Sequence, residues 1–137
     1  MTSSEFEKLM HTIAEGWNEG NPTKSVDCFT ANAVYMEPPD KQLVKGKDAL
    51  YKYFGGDDAK PGVMKLEWHN LFFNEANQMG SGEYTFEMNT IIHHGVAIVE
   101  LEQGKIRFWR EYDVPGTLSY DDFLREEGKT FAFSASK

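Results

Sequence analysis

Cysteine is almost missing from this chain: Cys28 stands alone in 137 residues. One thiol forms no intramolecular disulfide, so the fold rests on core burial and fits a reducing compartment. Positive charge is also short, with 14 Lys and Arg against 22 Asp and Glu and a net charge of -8. Phosphate backbones repel such a surface, which excludes nucleic acid as a partner. No basic amphipathic stretch marks a membrane surface, and apolar runs such as residues 95–99 fall far short of a span. No membrane partner is therefore expected. Residues 1–6 carry neither a cationic start nor an apolar signal core, so the expected location is cytoplasmic. His93 and His94 are adjacent and would point to opposite faces of a strand, and no His or Cys pair has zinc-ligand spacing. Phosphate loops, Ser-His-Asp spacings and dinucleotide fingerprints are absent as well. Neither metal nor cofactor is expected.

Aromatic residues, by contrast, are plentiful: 10 Phe, 6 Tyr and 3 Trp. A small core needs fewer, and the surplus can fill a core, cover a dimer face or line a cavity. The length suits one domain over 1–137, with a core at about 4–115 and a helix and tail at 117–137. Such a chain buries roughly two thirds of its unfolded surface without covalent staples.

The first half has helical spacing. Phe6, Leu9, Met10, Ile13 and Trp17 form one stripe, with Ser3 or Ser4 as cap and Gly20 as stop. Asn21-Pro22 opens a short second helix through about Asp27. Residues 30–32 read as a turn and residues 33–37 as a short strand halted by Pro38-Pro39. A third helix starts at Gly46-Lys47-Asp48, buries Ala49, Leu50, Tyr53 and Phe54, and stops at residues 55–58. The second half changes to strand-like runs at 64–73, 80–89, 94–103 and 105–114, joined by short links that include residues 90–92 and 103–104. Short links between long strands predict an antiparallel meander, and internal glycines predict bends and bulges. Ser119 with Asp122 reads as a capping box for a last helix through about Glu127. Residues 129–137 read as an added strand or a loose end. The fold class is α+β, with helices first and a curved, mainly antiparallel sheet of about five or six strands after them.

The densest chemistry lies on the last long strand. Arg107, Trp109, Glu111 and Asp113 share one face, and Ile106, Phe108, Arg110 and Tyr112 share the other. Patterning alone buries the second set. A carboxyl group in an apolar pocket has its charged form disfavoured and becomes a candidate base. Glu111 can equally pair with Lys105, Arg107 or Arg110 in a surface ladder. Tyr35 and Glu37 share a face of the first strand, where they can hold a water or a substrate oxygen, or sit at an exposed edge. Thr85, Glu87 and Asn89 make a polar row that suits a solvated face. His69 is a candidate proton carrier or a surface histidine. Trp17, Tyr53 and Phe54 face inward and by default pack the core.

Three segments carry a resemblance. They are Trp17-Asn18-Glu19-Gly20-Asn21 followed by residues 28–35, then Val44-Lys45-Gly46-Lys47-Asp48-Ala49-Leu50, and finally residues 102–113 with Trp109-Arg110-Glu111-Tyr112-Asp113. Over roughly residues 4–115 the chain resembles the nuclear-transport-factor-2-like superfamily, in its SnoaL-like branch of polyketide-cyclase and ketosteroid-isomerase relatives. The resemblance implies a cone of three helices packed into a strongly curved sheet, with the first strand beside the meander. It also implies a pocket between helices and sheet, and a homodimer through the convex face. Limonene-epoxide-hydrolase-like members use the acid of a Trp-Arg-acid-Tyr run as general base, which here is Glu111. Their water-holding Tyr and amide match Tyr35 and Glu37, the latter a carboxylate instead. Their Arg and second acid fall on Thr85 and Glu87, so the Arg is lacking.

Together these readings give an expectation of cofactor-independent acid–base chemistry on a small, mostly apolar molecule. Glu111 is the base, Tyr35 donates to an oxyanion, and Glu37 or Glu87 tunes or relays. Trp17, Phe54 and Trp109 form apolar walls, with His69 beside the substrate. A non-catalytic, homodimeric binding domain fits the same residues.

Overall fold

Helix α1 (Ser3–Asn18) follows its apolar stripe, burying Phe6, Met10, Ile13 and Trp17. Its cap is Thr2, one residue ahead of the expected serines, in a capping box with Glu5. Ser3 is occupied elsewhere: its amide and hydroxyl donate to Glu75, which ties the helix start to a turn in the sheet. Gly20 stops the helix at φ 68°, a backbone setting that glycine takes at no steric cost. Helix α2 (Pro22–Val26) starts on the Asn21 cap and is locked to α1 by the buried Ser25 hydroxyl donating to the Ile13 carbonyl.

The computed structural model describes residues 1–37, 42–57 and 64–125. The Pro38-Pro39 stop, Asp58 and the tail lie outside them, whereas the last helix ends within them at Phe123, short of the expected Glu127. Strand β1 (Phe29–Glu37) is longer than expected, because residues 30–32 do not turn. They form an irregularity within the strand, between Phe29 opposite Ile106 and Val34 opposite Phe108. Strand β2 (Gln42–Lys45) has no counterpart in the sequence reading, since four residues are too few for a period to show. Helix α3 (Lys47–Tyr53) buries Leu50, with Phe54 just beyond it. Ala49 is exposed and Tyr53 half exposed, so the buried stripe is narrower than expected. Seven residues turn one side to the sheet and leave the other in water.

The meander is β3 (Met64–Asn74), β4 (Met79–Met88), β5 (Ile91–Glu102) and β6 (Lys105–Gly116). The β4–β5 link is only Asn89-Thr90: Ile91 and Ile92 belong to the strand, and Asn89 takes φ 59°. Gln103 and Gly104 both have positive φ, the setting of a tight hairpin that matches strand twist. All six strands form one curved sheet in the order β2-β1-β6-β5-β4-β3. Only the β1–β6 pairing among them is parallel. Helix α4 (Tyr120–Phe123) is capped by Ser119, whose hydroxyl accepts from the Asp122 amide.

Two bulges decide which residues face the helices. On β6, Ile106 pairs with Leu101 but Phe108 pairs with Glu100, so Arg107 is an extra residue. The strand's inside–outside parity therefore switches at Arg107. Ile106 is buried before the bulge, and Trp109 and Glu111 after it. This corrects the patterning expectation, which puts Phe108, Arg110 and Tyr112 inside. On β3, Trp68 pairs with Tyr84 and Asn70 with Glu83, leaving His69 as the extra residue.

The core centres on Trp109, which is fully buried with the rings of Trp17, Phe29, Tyr35 and Trp68 at 5.5–6.0 Å. Fully burying one such large apolar side chain stabilises the fold by roughly 1.5–3 kcal/mol. Helix α1 is held to β3 by polar bonds too. Asn18 exchanges two hydrogen bonds with the Leu66 backbone, and the Trp68 indole donates to the Met10 carbonyl. Gly95 lets Tyr84 lie flat on β5, where a Cβ would collide with the phenol ring.

Candidate functional site

Strand β6 carries the key carboxyl group. Glu111 follows Trp109 by two residues, so both point to the helix side, and its cross-strand neighbour is the small, buried Ala97. Tyr35 pairs beside Trp109 from β1 and stacks on it at 5.5 Å and 10°. From there the Tyr35 hydroxyl donates to Glu111 Oε1 at 2.9 Å. The Trp109 indole donates to Oε2 at 2.9 Å. Glu37, two residues after Tyr35 on the same face, lies within hydrogen-bonding reach of Glu111. Tyr53 reaches from α3 to donate to Glu37.

These groups surround a cavity of about 350 Å³ between the helices and the sheet. Its apolar walls include Trp17, Phe54, Leu66 and Phe86. At the same cavity the Tyr84 hydroxyl lies 3.4 Å from Asp113 Oδ2, and His93 Nδ1 lies 3.3 Å from Asp113 Oδ1.

Glu111 is only 8% exposed. Burial, then the hydrogen bond and charge of Glu37, push its carboxyl group up to about 8, while the Trp109 and Tyr35 donors pull the other way. Desolvation favours the neutral acid, and two nearby carboxyl groups resist joint ionisation. Glu111 is therefore held as the neutral acid at neutral pH. Burial also holds the Tyr35, Tyr53 and Tyr84 hydroxyls above their ordinary range, so all three are donors.

Of the residues singled out in the sequence, Glu111, Tyr35, Glu37, Trp17 and Phe54 meet at this cavity. Trp109 lies beneath it as core and as a donor to Glu111, rather than as a wall. The Tyr35 hydroxyl is spent on Glu111, so it orients that carboxyl group. His69 and Glu87 lie elsewhere. The β3 bulge turns His69 outward, where its ring stacks on Tyr120 at 3.5 Å and Nε2 sits 3.0 Å from the Thr85 hydroxyl. Period two on β4 places Glu87 with Thr85, opposite the inward Tyr84 and Phe86, in an outer groove. Tyr53, Tyr84, His93 and Asp113 also line the cavity, a role the sequence did not assign to them. For Asp113 the signal was available, two residues past Glu111 on the same face. Among the described residues no group of three His, Cys, Asp or Glu is placed to hold a metal ion.

Helices packed into a curved sheet, with a buried acid at a largely apolar cavity, define a cone-shaped α+β roll. The chain belongs to the SnoaL-like domain family, whose family model matches residues 11–109. No curated protein matches it in sequence. Among solved structures it is similar to an NTF-2 like protein of unknown function from Burkholderia xenovorans, at 15% identity and TM-score 0.73, over 91% of this chain and 97% of that one. It is similar to the epoxide hydrolase/cyclase-like enzyme SalBIII of pyran ring formation in polyether salinomycin, at 21% identity and TM-score 0.67, over 85% of this chain and 92% of that one. A third is a protein with a ketosteroid isomerase-like fold from Catenulispora acidiphila, in complex with trimethylamine, at 12% identity and TM-score 0.65, over 76% of this chain and 83% of that one. At these identities the likeness is one of fold.

Proposed function

We propose that the chain binds a small, mostly apolar molecule in the cone and moves a proton on it without a cofactor, in a reaction of isomerase, cyclase or hydrolase type. The observation that carries this reading is the buried Glu111 carboxyl group, oriented by Tyr35 and Trp109 and set against Glu37. A carboxyl group titrating near neutral pH is matched to taking a proton from a carbon acid or a water. Glu37 then receives or returns that proton, because the two groups already lie within reach of each other. Phe54, Leu66 and Phe86 exclude water and hold the apolar body of the substrate. The likeness to an epoxide hydrolase/cyclase-like enzyme supports this class of chemistry. The free, buried thiol of Cys28 suits the reducing cytoplasm.

The test is hydrogen exchange at carbon. Small cyclic ketones with acidic α-hydrogens are incubated with the protein in D2O and followed by proton NMR. Enzyme-dependent exchange is expected, rising with pH through about 8. Glu111→Gln should lower it by about 10²–10⁴ while the fold persists. Exchange that survives this substitution rules out Glu111 as the base.

A non-catalytic binding domain is the second reading. It is favoured by the engagement of Tyr35 and Trp109 with Glu111, which leaves neither donor free for a developing oxyanion. Saturable binding without exchange across such ketones would select it.

A further inference from the structure

We infer that the cone is built for a ligand carrying a positive charge on an apolar body, a lipophilic amine or quaternary ammonium, seated between carboxyl groups and aromatic faces. The inference rests on the reading of the cone as a small-molecule pocket and names the class of molecule it takes. Three carboxyl groups, Glu37, Glu111 and Asp113, line the cavity. No Lys or Arg lines it among the described residues, and its one basic side chain, His93, is already set against Asp113. An anionic ligand would bring another negative charge into a poorly hydrated space that already disfavours the ionised Glu111. A neutral ligand would leave the carboxyl groups facing one another. A cation is attracted by all three.

The walls fit the same ligand. Tyr35 and Tyr53 have ring centroids 5.4 Å apart, and Trp17 and Phe54 lie 5.1 Å apart, all four on the cavity. Ring faces attract ammonium groups by their quadrupole, most strongly where water is excluded. The net charge of -8 draws cations toward the molecule as a whole.

A cation in the cone also changes the chemistry. Glu111 is faced by Glu37 and Tyr35 from β1, Tyr53 from α3, Tyr84 from β4, His93 from β5 and Asp113 on its own strand. Of these only His93 can bear positive charge. A bound ammonium supplies the missing opposite charge, favours the ionised Glu111 and expels its proton. The ligand thereby creates the base that acts on it.

Three ligands of one shape class separate charge from fit: benzyltrimethylammonium, the uncharged carbinol 2-methyl-1-phenylpropan-2-ol, and phenylacetate. Isothermal titration calorimetry at pH 8 should give at least tenfold tighter binding of the ammonium than of the carbinol, and none of phenylacetate. At pH 7, buffers of different ionisation enthalpy should report release of close to one proton per ammonium bound. Ammonium affinity should rise between pH 6 and 9. Glu111→Gln, checked for folding by its melting transition, should flatten that rise and abolish the release. The wild-type measurements stand if this variant does not fold. Equal or tighter binding of the carbinol, no saturable binding of the ammonium, or ammonium binding without proton release overturns the inference. Exchange of ketone hydrogens together with carbinol preference removes this inference and leaves the proton-transfer reading standing. Ammonium binding with proton release but no exchange does the reverse.

Discussion

Glu111 places two opposing demands on one side chain. Burial and Glu37 favour its neutral form, while the Trp109 and Tyr35 donors favour the carboxylate, and the first pair wins. The folded state therefore holds this proton more tightly than the unfolded chain, where the ordinary value is 4.5. The stability contribution is fully present below that value. It is lost as pH rises toward and through about 8. The loss amounts to a few kcal/mol for a shift of this size. Glu111→Gln removes the titration, so the wild type should lose stability relative to the variant between pH 5 and pH 9. Urea denaturation of both across that range measures it. A constant difference would show that Glu111 ionises in the fold as it does in water.

At the scale of the element, strand irregularities do the aiming. The extra residue Arg107 turns Trp109 and Glu111 to the helix side, and the extra residue His69 turns an imidazole away from it. Gly95 has a matching role on the neighbouring strand. It lets the Tyr84 ring approach the sheet closely enough for its hydroxyl to reach Asp113. Gly95→Ala forces that ring aside. It should cost about 1–3 kcal/mol, the usual range for overpacking a well-filled site. Chemical denaturation gives the magnitude, and near-UV circular dichroism reports the displaced tyrosine. A variant as stable as the parent, with an unchanged spectrum, would mean that the ring is not seated there.

For the molecule as a whole, the outer face of the sheet is the unfinished surface. Val96, Tyr112 and Val114 are 41%, 52% and 69% exposed. Val96 pairs directly with Tyr112, so they form a continuous apolar patch on β5 and β6. Such a patch marks an association surface. We propose that a second copy covers it, since the same patch on both partners closes a two-fold pair. Sedimentation equilibrium should give a dimer, and Val96→Lys with Val114→Lys should give a monomer that keeps its fold. A wild type that is monomeric at micromolar concentration would remove the homodimer.

Much of this was legible in one dimension. The α1 stripe, the Asn21-Pro22 restart, the meander and the Gln103-Gly104 hairpin all follow from periods and turn residues that act within a few positions. The acid of the last strand stood out for the same reason. Whether that acid pointed inward was not legible, because an extra residue in a strand shows itself only against its partner's register. For the same reason the fate of His69 was settled by pairing, whereas the outward position of Glu87 follows the polar row that period two on β4 already marked in the sequence. The raised titration of Glu111 lies furthest from the sequence. It arises from burial and from Glu37, 74 positions away in the chain, and proximity of that kind exists only after the sheet has closed around the helices.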